Sequence, residues 1–140
     1  MQFQPTNAPA LFNGAITSVS VASPFPDSQL IIDVRDSWTV RVAWNTSGFL
    51  APAIGGNWQV RAFLESMGGG FEGQVGPTVS VAATGGLSKV ANIPVPPANS
   101  IPNMIPGAYK LVVTLTHTNP NPTGIAGYEE GTIVQFVAEP

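Results

Sequence analysis

Apolar and polar positions alternate with a period of two along most of this chain. Trp38, Val40, Val42 and Trp44 fall on one side of an extended segment, and Thr39, Arg41, Ala43 and Asn45 fall on the other. That is the pattern of a strand with one face buried. It recurs in Trp58, Val60, Ala62 and Leu64 against Gln59, Arg61, Phe63 and Glu65, and again in Tyr109, Leu111, Val113 and Leu115 against Lys110, Val112, Thr114 and Thr116. These segments are expected to form the heart of the core. Weaker strands are predicted over residues 17–21, 30–34, 79–83, 87–93 and 132–138. Gly- and Pro-rich stretches separate them: Ser23-Pro24-Phe25-Pro26, residues 67–77 and residues 94–107. The best helical stretch, residues 61–67, begins inside an alternating run and ends in three glycines, so it reads as a strand end. About seven or eight short strands with frequent turn signals predict an all-β, two-sheet antiparallel sandwich, because an open sheet this apolar would leave one face uncovered.

One segment sharpens the prediction. Pro106-Gly107-Ala108-Tyr109-Lys110-Leu111-Val112-Val113-Thr114-Leu115 resembles the part of immunoglobulin-like and fibronectin type III-like β-sandwich domains in which a Pro-Gly turn leads into a Tyr-bearing strand. The resemblance implies an immunoglobulin-like strand order. It also implies a tyrosine corner, with the Tyr109 hydroxyl bonded back to the preceding loop, and a core tryptophan supplied by Trp44 or Trp58. The paired cysteines of antibody domains are absent. The likeness spans residues 17–138 as architecture and about ten residues as motif, and a superfold of this kind carries no function by itself.

Composition adds a second theme. The chain has 140 residues, with five Lys or Arg, eight Asp or Glu, and no charged residue before Asp27; Gly and Pro number 15 and 14. An average soluble domain is roughly a quarter charged, so this surface has little to hold other surfaces away. At 44% hydrophobic residues the chain can bury enough apolar area to fold. Its length fits one sandwich domain over residues 14–140, preceded by an extended arm over residues 1–13. A net charge of -3 leaves no electrostatic footprint for nucleic acid or an anionic membrane. Without cysteine there is no disulfide and no thiolate ligand or nucleophile. The start carries neither a basic region nor a continuous apolar run, and no stretch reaches the roughly 18 apolar residues of a membrane helix. The expected location is therefore cytoplasmic by default, with assembly into a larger or exported particle left open. Asn45-Thr46-Ser47 fits a glycosylation tripeptide that arises often by chance.

The motifs that suggest chemistry are weak. Gly68-Gly69-Gly70-Phe71-Glu72-Gly73 matches G-x-G-x-x-G, but a phosphate site also needs a following helix, and a strand is predicted instead. His117 is the only histidine and has no nucleophile-elbow sequence near it. Asp33 and Asp36 flank Arg35, and Glu129-Glu130 follow later, without the spacing of a calcium loop. Exposed tryptophans would stack on sugar rings, yet Trp38, Trp44 and Trp58 lie in phase with inward aliphatic residues. No catalytic, cofactor-binding or metal-binding residue is assigned, and no enzyme or cofactor is expected.

Partner binding is the expectation that remains. In an immunoglobulin-like order the connections over residues 45–57 and 117–131 emerge at one end, carrying Phe49, Leu50 and Ile54 on one and Ile125 and Tyr128 on the other. They either form one apolar patch or fold back onto their own core. The arm carries Phe3, Leu11 and Phe12, which either cover the same domain or grip a neighbour's edge. With only Lys89 and Lys110 as lysines, edge strands have little charge protection. The chain is expected to be a non-catalytic structural or protein-interaction module that self-associates or docks in a larger assembly such as a fibre, shell or appendage. The alternative is a small carbohydrate- or ligand-binding sandwich that uses aromatic residues on loops. A hydrolase would require His117 beside a serine or carboxylate.

Overall fold

The computed structural model describes residues 2–3, 13–22, 31–47, 55–84, 87–119 and 121–138. Nine strands are present among them: β1 (Gln2–Phe3), β2 (Asn13–Ala22), β3 (Ile31–Asp33), β4 (Trp38–Ser47), β5 (Asn57–Ser66), β6 (Gly73–Ala82), β7 (Ser88–Val95), β8 (Gly107–Thr118) and β9 (Pro122–Val137). A 3-10 turn, Ala98–Ser100, interrupts the connection from β7 to β8. The strands form two packed sheets in the orders β1-β2-β4-β7 and β3-β9-β8-β5-β6, so the expected all-β sandwich is what the chain builds. All pairings are antiparallel except β3 with β9, which run parallel. The chain thus leaves the smaller sheet after β2 and joins the larger one at β3.

The period-two alternation explains the core directly. Strand β4 buries Trp38, Val40, Val42, Trp44 and Thr46. Strand β5 buries Trp58, Val60, Ala62 and Leu64, and β8 buries Tyr109, Leu111, Val113, Leu115 and His117. Between the sheets the aromatic rings pack edge to face, with Trp44 on Trp58 at 6.3 Å and Tyr109 on Phe136 at 5.5 Å between centroids. Such pairs add about 0.5–1.5 kcal/mol each to the burial of their area.

Strands β6 and β9 extend into segments that read as turn or loop, both for tertiary reasons. Gly73 to Pro77 read as a turn but open β6, an edge strand whose only strand partner among the described residues is β5. An edge tolerates Pro77, since a proline there removes no shared ladder bond. Gly76, at φ 70°, sits where the pairing with β5 shifts register between Val60 and Ala62. A side chain at Gly76 would stand 2.6 Å from the Pro94 carbonyl oxygen, so its bare backbone lets β6 close against β7. Residues 117–131, expected as a long connection, are the hairpin of β8 and β9, turned at Asn119 to Asn121 with the Asn119 amide donating to the Asn121 carbonyl at 2.9 Å. Their glycines and proline read as loop, yet the ladder with β8 imposes the extended form.

Candidate functional site

Because β5 and β8 bury their even and odd phases respectively, the opposite phases surface together on the outer face of the larger sheet. The register aligns Phe63 with Val112 and Glu130, Arg61 with Thr114 and Tyr128, and Lys110 with both Glu65 and Ile133. Tyr128 and Ile133 are 53% and 49% exposed, while Phe63 and Val112 are half-buried between neighbouring side chains. Four apolar side chains therefore lie on adjacent strands of a face that ought to be polar. Charged groups frame them. Lys110 Nζ meets Glu130 Oε2 at 2.7 Å, and this hydrogen bond raises the lysine pKa above its ordinary value. Arg61 donates to Thr116 Oγ1 at 3.3 Å. At the β6 side an open depression of about 470 Å³ is lined by Phe63, Glu65, Glu72, Gly73, Val112 and Thr114. A second, of similar size and more polar, lies at the seam between β2 and β9, against Thr17, Ser18, Glu129 and Glu130.

The residues singled out in the sequence fall in several places. Tyr128 is exposed, but on β9 rather than at a loop tip, and it points out of the larger sheet. Ile125, also on β9, is 8% exposed and packs into the core of its own domain, the fold-back arrangement for this residue. Phe3 lies in β1, whose backbone pairs with Gly14 of the same chain, so this part of the arm is engaged within the domain. Leu11, Phe12, Phe49, Leu50 and Ile54 lie outside the described residues. Phe63, Val112 and Ile133 were missed as site residues. Their signal was an apolar side chain in the outward phase of a strand, and it was available for Phe63 and Val112.

Tyr109 is 1% exposed, and its hydroxyl donates to the Ile105 carbonyl at 2.7 Å. Gly70 is packed so closely against that hydroxyl that a Cβ there would stand 2.5 Å away. The glycine-rich segment 68–73 joins β5 to β6 and is followed by strand, as expected. Ser66 Oγ holds it by accepting from the amides of Gly70 at 2.6 Å and Gly68 at 3.2 Å. His117 is buried, with its ring 4.9 Å from that of Trp58 and Nε2 2.6 Å from the Gly55 carbonyl. That geometry anchors the strand end. All three tryptophans are at most 3% exposed, which removes them as a sugar-stacking platform. Asp33 takes Arg35 as a bidentate partner at 3.0 and 2.9 Å and accepts from its amide at 2.8 Å. These bonds hold the carboxyl at a pKa of about 2. Among the described residues no three His, Cys, Asp or Glu gather as metal ligands.

No family model matches the chain, and no curated protein matches it. Solved structures do. The C-terminal domain of wzt is similar at a TM-score of 0.58 and 13% identity, over 90% of this chain and 74% of that one. A β-glucosidase involved in saponin metabolism from intestinal bacteria is similar at 0.57 and 14% identity, and one from Erythrobacter marinus at 0.55 and 13%, over 89% and 90% of this chain. The chain spans only 16% of the length of either glucosidase. At such identities the likeness is one of fold, a two-sheet sandwich that these proteins share with this chain.

Proposed function

We propose that this chain is a non-catalytic structural or protein-interaction module that self-associates, or docks as a subunit of a larger assembly, through the outer face of its larger sheet. The observation that carries the reading is the half-exposure of Tyr128 and Ile133 beside Phe63 and Val112 on one continuous face. A chain with so few charges gains by covering such a patch. We also read the domain as immunoglobulin-like. The parallel β3 beside β9 and the bond from Tyr109 to Ile105 support that reading.

The test is the absolute mass in solution by light scattering across a concentration series. Masses above 14.5 kDa that fall when Tyr128 and Ile133 are both changed to Asp support docking through this face. A 14.5 kDa species at every concentration removes self-association. The depression between Phe63 and Glu72 favours a second reading, a small carbohydrate- or ligand-binding module, because it pairs an aromatic floor with carboxylate acceptors. Titration with gluco-oligosaccharides tests it, with heat or shift changes that vanish in Phe63→Ser as the supporting result.

A further inference from the structure

We propose that two copies of this chain join edge to edge through β6, pairing residues 78–82 antiparallel about a two-fold axis at Ser80. The inference rests on the self-association reading and adds to the outer face a second contact, at the edge of the same sheet. Among the described residues each sheet ends in edge strands, and these differ in how they are defended. On the smaller sheet, β7 carries Lys89 and Pro94, while β2 is bulged near Thr17 and covered at its start by β1. On the larger sheet, β3 lies along the end of β9. Lysine, proline, bulges and covering segments are the usual defences of an edge.

Strand β6 is defended only in its first half, where the Gly76 irregularity turns it against β7 and Pro77 withholds a donor. The second half, Thr78-Val79-Ser80-Val81-Ala82, has no strand partner except β5 among the described residues. The whole strand, Gly73–Ala82, contains no charged side chain. Its outward residues Thr78, Ser80 and Ala82 are exposed and small, and Val79 and Val81 are half-buried beneath. A second copy presents the same feature, so nothing electrostatic opposes the approach. Antiparallel pairing about Ser80 sets Ser80 opposite Ser80, and Thr78 opposite Ala82, in the isologous arrangement of a closed dimer. The two larger sheets then run on as one, bringing both copies of the Phe63 face into a single surface.

The experiment uses two variants of the full chain, Thr78→Lys/Ser80→Lys and Ser80→Glu/Ala82→Glu, each checked for β-type circular dichroism. Alone, each places like charges opposite one another across the axis; mixed, they place Lys opposite Glu at both positions. The expected result is a wild type at twice 14.5 kDa, each variant weakened on the order of tenfold at low salt, and recovery of the dimer in the equimolar mixture. Variants that associate as the wild type does overturn the β6 edge while leaving self-association standing. Weakened variants that the mixture fails to restore overturn the antiparallel register. A wild type that is monomeric throughout overturns both the edge and the reading on which it rests.

Discussion

The hydroxyl of Tyr109, buried at the start of β8, donates to the carbonyl of Ile105 four residues upstream at 2.7 Å. The bond pins the connection from β7 to the strand that follows it. Removing the donor loses a partly buried hydrogen bond and leaves nothing in its place, so Tyr109→Phe is expected to cost about 1 kcal/mol. Chemical denaturation with an unchanged slope against denaturant checks it. An unaltered midpoint would count against the immunoglobulin-like reading.

Gly76 meets the Pro94 carbonyl oxygen across the seam between β6 and β7 at a backbone angle that side chains rarely adopt. Gly76→Ala is therefore expected to destabilise the fold by about 2 kcal/mol or more, from backbone strain together with the clash. Gly68→Ala is the control, since nothing lies within 4 Å of its added carbon. Equal thermal midpoints for the two variants would contradict the close approach.

Trp38 and Trp44 bury indole N–H groups that have no hydrogen-bond partner among the described residues. Changing Trp38 to Phe loses packing but also removes an unsatisfied donor, which costs about 1–3 kcal/mol to bury. The net loss is expected to stay near 1 kcal/mol, far below the roughly 3–5 kcal/mol expected for Trp58→Ala. Denaturant titrations of the two variants side by side test the contrast.

Asp33 titrates near pH 2 in the folded chain because Arg35 donates to it from both side chain and backbone. A lowered carboxylate pKa stabilises the fold above the ordinary value of 3.8, and that contribution fades as pH falls from about 4 towards 2. The stability gap between the wild type and Asp33→Asn should be constant from pH 7 to 5 and should shrink over that acid window. The Arg35 side chain is 61% exposed, so the gap is expected to be small and to narrow with added salt.

The three central strands were legible in the sequence because each has one dry face: the inward phases Trp38 to Trp44, Trp58 to Leu64 and Tyr109 to Leu115 are apolar throughout. The first half of β6 and of β9 was not. Gly73 to Pro77 and Pro122 to Gly131 have the composition of turns, and only the partner strands β5 and β8 fix them as extended. The candidate site was half legible for the same reason. Tyr128 was recognised as an exposed aromatic but assigned to a loop, whereas Phe63 and Val112 were placed in the outward phase without being read as a patch. Their proximity depends on register between β5 and β8, which no local pattern encodes.

The parallel pairing of β3 with β9 has a consequence in time as well as in space. Ile31 must wait for Gln135, roughly a hundred residues later, before their ladder can form, a loop closure whose entropy is lost early and recovered late. A chain made from its amino terminus would hold β2, β4 and β5 for most of its synthesis with the last two strands of the larger sheet missing. The ladder of β3 with β9 therefore waits for the last strand of the larger sheet, and pairing this far apart in sequence is slow, on the order of milliseconds to seconds. Until it happens, the apolar edge of β5 that β8 will cover is open to whatever strand reaches it first.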